Sequence, residues 1–305
     1  MRCLKPISAT QDAEGMVTLR RNRLDATLED GEYLELACGR CGACRSNRAR
    51  SWAIRCYHEL QTNTRTVNGC KIPVGVFVTL TYDDEHLPKN GSLNVEDWQR
   101  FAKRVRNHLG PFRFLQCGEY GSLGRPHHHA CLFGVDFSAD RQTLETNGDQ
   151  VTWKSDQLHN LWGKGFTMMA PLNFATASYT AGYVVKKAKT AEWEEQTSYI
   201  GDNLEVITPK QEFITMSRNP GLGRDWFEKY WRDVYPLDQV RIGGKEYSPP
   251  KYYDNLLFEM DPALHKEVID KRIQHNRSLG PTSDNERTAR GEIFAAKLAM
   301  KKPRR

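Results

Sequence analysis

The sequence predicts an α+β fold from three features. A run of β-branched and aromatic residues at 74–82, Val-Gly-Val-Phe-Val-Thr-Leu-Thr-Tyr, is typical of a strand. Apolar residues recur at helical spacing between 94 and 109, which predicts an amphipathic helix. Two more apolar runs, Phe112–Cys117 and His127–Phe133, predict strands separated by a glycine-rich turn. The expected order is strand, helix, strand, strand.

The flanking segments carry weaker patterns. We expect a short helix at 155–162, a strand at 165–172, a helix at 174–189, and a strand, turn and helix within 213–232. The last forty residues are highly charged and end in Lys-Lys-Pro-Arg-Arg, which predicts a peripheral helix and a loose basic tail. These patterns divide the chain into a cysteine cluster with a basic helix at 1–70, a central domain at 71–235 and a charged extension at 236–305.

Composition and charge exclude some classes of protein. The 305 residues are 39% hydrophobic and 10% aromatic, which is typical of a globular protein with a packed core. Lys and Arg exceed Asp and Glu by 44 to 38, a formal charge of +6 that is compatible with a polyanionic partner without requiring one. The N-terminus lacks the apolar core of a signal peptide, and no run approaches ~20 apolar residues. We therefore expect a soluble, intracellular protein without a membrane segment.

Three consecutive histidines begin the strand expected after the glycine-rich turn. Side chains alternate across a strand, so His127 and His129 share one face, while His128 points the opposite way. Glu119 leaves the preceding strand and would lie alongside if a hairpin closed over the glycines. Two neutral imidazoles and a carboxylate, with coordination positions left open, suit a catalytic Mg²⁺ or Mn²⁺ ion. Such a histidine pair, taken alone, also suits a sheet edge that binds no metal.

Two tyrosines follow at helical spacing. Tyr179 and Tyr183 lie at i and i+4, roughly 6 Å apart on one helical face, and Lys186 joins that face. A phenol with a pKa of about 10 attacks a phosphodiester only with the help of a Lewis acid. An ammonium group such as that of Lys186 would favour the phenolate. Ordinary packing is the alternative, and it is the more frequent use of tyrosines at this spacing.

Three of the eight cysteines are tightly clustered. Cys38, Cys41 and Cys44 follow one another at three-residue intervals, and Cys3 is a plausible fourth partner if the N-terminal strand folds back. In a reducing cytosol such a cluster favours metal ligation over disulfides. Four thiolates would complete a tetrahedral, structural Zn²⁺ site with no position open for water. An iron–sulfur cluster and free thiols are the alternatives.

A basic helix is expected directly after the cysteine cluster. Trp52, Cys56 and Leu60 mark its apolar face. Arginines that contact phosphates, combined with aromatic rings that stack on bases, are typical of single-stranded nucleic-acid binding. A solvated helix face is the alternative. The expected DNA-binding residues are Arg45, Arg48, Arg50 and Arg55.

Four stretches occur in a fixed order along the chain: Phe77–Tyr82, Gly118–Gly121 leading to Arg125–His129, the segment with the two tyrosines, and the cysteine cluster with its basic sequel. Together they resemble the HUH endonuclease superfamily. Within it, they most resemble the replication initiation proteins of gokushovirus-type Microviridae, which are single-stranded DNA phages. The resemblance spans residues 3 to 225, and the order of the stretches carries it more than any single one.

This resemblance implies a fold and an activity. The fold would be an antiparallel sheet of four or five strands with flanking helices in a split βαβ arrangement, preceded by a cysteine-rich, zinc-like extension. The central domain would nick single-stranded DNA at a viral origin. Tyrosine attack would leave a 5′-phosphotyrosyl link and a free 3′-OH that primes rolling-circle synthesis, and the same enzyme would rejoin the strand. The implied partners are the origin DNA and a host helicase and polymerase in the bacterial cytoplasm.

The resemblance also implies a role for individual residues. Position 128 holds a bulky hydrophobic residue in the family, so a neutral, hydrogen-bonded His128 is expected to pack there. The pair 128 and 130 is excluded as ligands because residue 130 is alanine. The implied roles are metal ligation by His127, His129 and Glu119, and attack by Tyr183 as primary nucleophile, with Tyr179 as its alternating partner and Lys186 beside it.

Other functions fit parts of the pattern. An HUH transposase or relaxase would use the same chemistry, although a relaxase more often carries its tyrosine near the N-terminus. An iron oxygenase with two histidines and one carboxylate would use similar ligands but leaves the tyrosine pair unexplained. A non-catalytic, zinc-bearing protein that binds single-stranded DNA would need neither tyrosine. The sequence has no GxxxxGK[ST] loop, so strand separation is expected to depend on a partner.

Overall fold

A computed structural model describes residues 2–14, 16–20, 32–121, 123–148, 150–183, 198–200, 205–279 and 282–300. Residue contacts divide the chain into two compact units. The first unit joins Met1–Arg48 with Asn255–Arg305, and the second is Ala49–Asp254. The sequence-based regions, divided at 70 and 235, were defined by their motifs and stay a prediction.

Strands and helices are numbered along the chain. The described strands are β1 (Ile7–Gln11), β2 (Val17–Leu19), β3 (Glu32–Leu36), β4 (Thr64–Val67), β5 (Cys70–Pro73), β6 (Gly75–Thr81), β7 (Arg113–Tyr120), β8 (Pro126–Phe133), β9 (Gln142–Asn147), β10 (Gln150–Lys154), β11 (Thr167–Pro171), β12 (Tyr199–Ile200), β13 (Val206–Ile207), β14 (Phe213–Met216), β15 (Val240–Ile242) and β16 (Lys245–Tyr247). The described α-helices are α1 (Gly42–Thr62), α2 (Val95–Leu109), α3 (Asp156–Trp162), α4 (Phe174–Tyr183), α5 (Arg224–Val234), α6 (Lys251–Met260), α7 (Pro262–Ser278) and α8 (Asp284–Met300).

The second unit is built on an antiparallel sheet. Its described strands lie in the order β14-β7-β8-β6-β11-β10-β9. Strand β8 lies between β6 and β7 and is antiparallel to both, so β6 and β7 are parallel and joined through α2. This is a split βαβ arrangement, and the predicted α+β fold with an antiparallel sheet and flanking helices is confirmed.

The sheet has seven described strands, more than the four or five expected. The hairpin of β9 and β10 accounts for the difference at one edge. Every residue of β9 is exposed and most are polar. Strand prediction depends on alternating burial, so a strand that is exposed on both faces has the sequence pattern of a loop.

Different helices cover the two faces of this sheet. Val78 and Leu80 of β6 pack with residues of α2 and α3, among them the buried Trp162. On the opposite face, Phe77 and Cys131 pack with residues of α1 and α4. Because strand side chains alternate, the odd-numbered residues of β8 face α4 and the even-numbered residues face α2.

Side-chain caps fix the start of the helices around the sheet. The carboxamide oxygen of Asn94 accepts the backbone N–H of Glu96, 3.0 Å away, at the start of α2. The hydroxyl of Ser155 accepts the N–H of Leu158 at 3.0 Å, where α3 begins. Asn173 does the same for α4 through the N–H groups of two residues in its first turn. Such caps typically contribute ~1 kcal/mol each.

The first unit contains a three-stranded sheet in the order β2-β1-β3. Two arginines on its helices form ion pairs with β3: Arg277 of α7 with Glu32, and Arg287 of α8 with Glu35. The basic tail expected at 301–305 lies outside the described residues. Among the described helices of the chain, none combines the length and apolar character that a membrane span needs.

Candidate metal centre

Glu119, His127 and His129 meet on the face of the sheet that carries α4. Strands β7 and β8 form a hairpin in which the N–H of Gly121 donates to the carbonyl of Arg125 at 2.9 Å. The register pairs Glu119 with His127 directly across the two strands. The hairpin expected from the glycines therefore brings the carboxylate alongside both histidines.

The three side chains converge on one point. Nε2 of His127 lies 2.7 Å from Oε1 of Glu119, and Nε2 of His129 lies 2.8 Å from the same oxygen. All three ligand atoms lie within 4.8 Å of one another. Burial raises the pKa of the Glu119 carboxyl, but the hydrogen bonds from both histidines outweigh this effect, so the pKa lies below its ordinary value. Glu119 is therefore an ionised carboxylate at neutral pH.

The surroundings of His127 call for a positive charge. Its Nδ1 lies 3.2 Å from the carbonyl oxygen of Arg125, which can only accept, so Nδ1 carries a proton. Its Nε2 faces the ionised carboxylate of Glu119, which also only accepts. Either the ring is an imidazolium or a cation lies between Nε2 and the carboxylate. Two imidazole nitrogens and a carboxylate oxygen are a donor set that fits a divalent cation.

His128 lies on the opposite face, fully buried and hydrogen-bonded at both ring nitrogens. The amide of Gln116 donates to Nδ1 at 2.9 Å, and its own oxygen accepts the hydroxyl of Thr215 at 2.7 Å. Nε2 lies 3.1 Å from the hydroxyl oxygen of Tyr82, which donates to Asp97. Burial lowers the pKa of His128 to about 3. The neutral, hydrogen-bonded histidine expected at this position is what the structure contains.

Tyr179 of α4 lies beside the metal-binding face. Its ring centroid is 5.3 Å from that of His129, in an edge-to-face arrangement, and the side chain is 48% exposed. The opposite side of α4 carries Ala177 and Ala181, which pack in the core. Tyr183 is the last residue of the described helix. The side chain of Tyr183 and the whole of Lys186 lie outside the described residues.

The predicted cysteine cluster forms a second candidate metal site, in the first unit. The sulfur of Cys3 lies 3.5 Å from that of Cys38 and 3.7 Å from that of Cys41. Cys44 completes the group, with all four sulfurs within 4.8 Å of one another. Four sulfurs at ~2.3 Å from a tetrahedral zinc ion are ~3.8 Å apart, so these distances fit a shared ion. A disulfide needs ~2.05 Å.

Backbone N–H groups support negative charge on this cluster. The N–H of Cys41 donates to the sulfur of Cys38 at 3.3 Å, and that of Leu4 donates to the sulfur of Cys41 at 3.4 Å. Burial alone would raise the pKa of Cys41, but these and other hydrogen bonds lower it to about 6. Burial and its thiol neighbours raise the pKa of Cys44 to about 12. A bound cation would let all four thiols ionise together.

The four expected DNA-binding arginines all lie on α1 but differ in their surroundings. Arg48 and Arg50 are exposed, and Arg45 is half-buried. The guanidinium of Arg55 lies 4.1 Å from the ring centroid of Trp52 and 4.0 Å from that of Tyr252, and it donates to a backbone carbonyl. Arg55 therefore has an intramolecular role in the structure.

Sequence reasoning missed the polar side chains that hold the histidines. The hydroxyl of Thr79 lies 2.9 Å from Nδ1 of His129, and Gln116 holds His128. Asp97, which was expected to help cap α2, is buried and accepts from Tyr82 instead. The available signal was weak: threonine and glutamine interrupt apolar strand runs at these positions, as they do in many strands without a site.

The fold and this site define an α+β protein with a candidate divalent-metal centre on its sheet and a tyrosine beside it. Residues 75–188 match the family model of the ORF2-type replication-associated proteins. This range holds the three candidate ligands and both tyrosines. The resemblance to phage replication proteins predicted from the sequence is confirmed.

Three phage proteins are similar to most of the chain. Replication-associated protein ORF2 of Spiroplasma virus 4 is 29% identical over 265 residues, which cover 79% of this chain and 76% of the relative. Replication-associated protein VP4 of Bdellovibrio phage phiMH2K is 28% identical over 267 residues, 84% and 76% of the two chains. Replication-associated protein ORF4 of Chlamydia phage 1 is 26% identical over 232 residues, 73% and 53%. No solved structure matches the chain.

Proposed function

We propose that this chain is a rolling-circle replication initiator of the HUH type, which nicks and rejoins single-stranded DNA at a phage origin. The observation that carries the proposal is the position of the Tyr179 ring, 5.3 Å from the ring of His129 in the candidate metal centre. The names of the relatives, all replication-associated phage proteins, support DNA as the substrate. The site of action would be the cytoplasm of the bacterial host.

In this proposal Glu119, His127 and His129 hold a Mg²⁺ or Mn²⁺ ion. The ion, when bound, would neutralise the scissile phosphate and align it for in-line attack. The strands give the ligands a fixed frame, since all three lie in the middle strands of the sheet rather than on loops. The ionised carboxylate of Glu119 supplies the negative charge that retains a divalent cation in a half-buried position.

The nucleophile is a tyrosine of α4. Its phenol oxygen forms a bond to phosphorus as the bond from phosphorus to the 3′-oxygen breaks, which gives a 5′-phosphotyrosyl link and a free 3′-OH. The phenol loses its proton and the leaving 3′-oxygen takes one up, so the reverse attack rejoins the strand. Tyr179 and Tyr183 would alternate, with Lys186 favouring phenolate. The order of attack, with Tyr183 first, stays a prediction.

The cysteine cluster and the basic helix complete the proposal. Cys3, Cys38, Cys41 and Cys44 would bind a structural Zn²⁺ ion, because four thiolates leave no position open for substrate. Arginines of α1 would contact DNA phosphates. This role rests on Arg45, Arg48 and Arg50, since Arg55 is already engaged by aromatic rings. A host helicase and polymerase would supply strand separation and synthesis.

A labelled single-stranded origin oligonucleotide, incubated with the protein and Mn²⁺ and resolved on a denaturing gel, tests the proposal. The parent protein is expected to form a covalent adduct, and the double change Tyr179→Phe and Tyr183→Phe to abolish it. Tyr199→Phe is the matched control, since Tyr199 is exposed to a similar extent and its hydroxyl binds a carbonyl of Asn90. An adduct of normal yield in the double variant would overturn the tyrosine assignment.

A further inference from the structure

The two candidate histidine ligands differ in the partner of their outer ring nitrogen. Nδ1 of His127 faces the main-chain carbonyl of Arg125 at 3.2 Å. Nδ1 of His129 faces the hydroxyl oxygen of Thr79 at 2.9 Å. A carbonyl oxygen can only accept a hydrogen bond, whereas a hydroxyl can donate or accept. The proton position is therefore fixed by the backbone for one ring and by a side chain for the other.

This difference decides which tautomer each ring adopts. Nε2 of His129 can offer a lone pair to a cation only when the proton of the neutral ring lies on Nδ1. The ring then donates to the hydroxyl of Thr79. If the hydroxyl donated instead, the proton would lie on Nε2 and that nitrogen would no longer bind a cation. The acceptor role of Thr79 thus goes with a metal-binding His129.

Thr79 lies in a rigid place for this task. It sits on β6 directly opposite His129 of β8, in the middle of the sheet. Its β-branched side chain has restricted rotation in a strand. The ring of Phe77, two residues earlier on the same face, stacks on the ring of His129 at 5.6 Å and 16°. The stacked ring holds the plane of His129, and the hydroxyl holds its rotation within that plane.

We propose that Thr79 is a positioning residue for the divalent cation. Its hydroxyl accepts Nδ1–H of His129, which presents Nε2 to the ion in the correct tautomer and direction. This inference rests on the proposed function, because it assigns the cation to the Glu119, His127 and His129 site. Outer hydrogen-bond partners of metal-bound histidines act in this way in general, and their loss typically weakens metal affinity by ~10–100-fold.

The same strand offers a matched control. Thr81 lies two residues beyond Thr79, on the same face, and pairs with His127 across the strands. Its hydroxyl, however, donates to the main-chain carbonyl of Phe166 at 3.0 Å rather than to a ring nitrogen. Thr79→Val and Thr81→Val therefore make the same chemical change in neighbouring positions of β6. Only the first removes a partner of a candidate ligand.

Isothermal titration of the full chain with Mn²⁺ tests the inference. Thr79→Val is expected to weaken Mn²⁺ binding by ~10–100-fold, while Thr81→Val binds like the parent. Thr79→Ser keeps the hydroxyl and should bind like the parent, and Thr79→Ala should bind as weakly as the valine variant. The serine and alanine variants differ by the hydroxyl alone, so they decide the matter even if the valine variant does not fold. Thermal unfolding of each variant checks that the fold is kept.

The outcomes separate this inference from the proposed function. Parent-like Mn²⁺ affinity in both Thr79→Val and Thr79→Ala would overturn the positioning role and leave the metal site standing. Equal loss in Thr79→Ser and Thr79→Ala would also overturn it, because the hydroxyl would then make no difference. A parent protein that binds no Mn²⁺, or binds it undiminished after His127→Ala, would overturn both.

Discussion

The two candidate metal sites of this chain are built from opposite materials. The site on the sheet has three ligands, two nitrogens and one oxygen, on strands β7 and β8. The cysteine site has four sulfurs, one near the N-terminus and three around the start of α1. Three ligands leave coordination positions for a substrate, and four thiolates leave none. The composition of each site thus points to its use: chemistry at the first, and local folding at the second.

The settings of the two sites agree with this division. Beside the histidines lies Tyr179, a half-exposed aromatic side chain with a reactive hydroxyl. Around the cysteines the contacts are backbone N–H groups, such as that of Leu4, which neutralise thiolate charge. A change in one site should therefore affect catalysis, and a change in the other should affect stability. Four measurements can break or sharpen this comparison.

The largest effect is expected from His127→Ala. Loss of a direct ligand should reduce nicking by more than the ~10–100-fold that loss of an outer partner causes. Mn²⁺ binding at this site should disappear while the thermal unfolding temperature changes little. Cys70→Ser serves as a control, because Cys70 is exposed and belongs to neither site. Normal nicking by the alanine variant would contradict the assignment of the site.

Zinc removal should act on stability instead. Protein isolated with Zn²⁺ should contain about one tightly bound ion per chain, and Cys41→Ser should lose it. Structural zinc contributes ~10–16 kcal/mol of binding free energy in zinc-finger peptides, so several kcal/mol of apparent stability should be lost with it. Metal analysis and thermal unfolding check this, again against Cys70→Ser. A Cys41→Ser variant that keeps its zinc and its unfolding temperature would disprove the cluster as a metal site.

His128 predicts a pH dependence that separates the two faces of the sheet. Burial lowers its pKa to about 3 in the folded chain, against about 6.5 when unfolded. Between these values the unfolded chain binds a proton that the folded chain does not, so stability is full above pH ~6.5 and falls as the pH drops. The slope is up to ~1.4 kcal/mol per pH unit. Burial likewise lowers the pKa of His58 to about 3, so the parent has two such groups.

Urea unfolding at pH 7 and pH 5 checks this dependence with His128→Gln, which keeps hydrogen-bonding capacity but cannot titrate. The variant should lose less stability than the parent over this interval, by ~1–2 kcal/mol. Its Mn²⁺ affinity should change little, because residue 128 faces away from the cation. An identical pH dependence in parent and variant would show that His128 is protonated in the folded chain.

The smallest effect is expected at the basic helix. Arg48→Gln and Arg50→Gln should each reduce the dependence of DNA affinity on the logarithm of salt concentration by ~1, if each arginine neutralises one phosphate. Arg241→Gln is the control, since Arg241 is exposed and paired with Glu246. Fluorescence anisotropy with a single-stranded oligonucleotide over a salt series measures the slopes. Unchanged slopes would place the DNA elsewhere on the surface.

Strand periodicity carried much of what the sequence could predict about the sheet site. The alternation of side chains was enough to place His127 and His129 together and His128 opposite them. The hairpin glycines were enough to bring Glu119 alongside. The partners of the histidines were not predictable, because Thr79 and Gln116 come from other strands and the order of strands in a sheet is not written in local pattern.

Elsewhere the sequence was less informative for physical reasons. The helix expected at 174–189 is described only as far as Tyr183, so the predicted place of Lys186 rests on spacing alone. An arginine-rich helix face predicts phosphate binding, yet Arg55 is enclosed by the rings of Trp52 and Tyr252. Tyr252 lies almost two hundred residues away along the chain. Contacts at that sequence separation depend on tertiary structure, which periodicity does not reveal.

The central claim is that one site joins a metal ion and a tyrosine nucleophile. The most direct test is to isolate the protein–DNA adduct formed with Mn²⁺, digest it, and identify the modified residue by mass spectrometry. A 5′-phosphonucleotide on Tyr179 or Tyr183, formed by the parent and absent from His127→Ala, is the predicted result. An adduct on any other residue, or one that forms without the histidines, would contradict it.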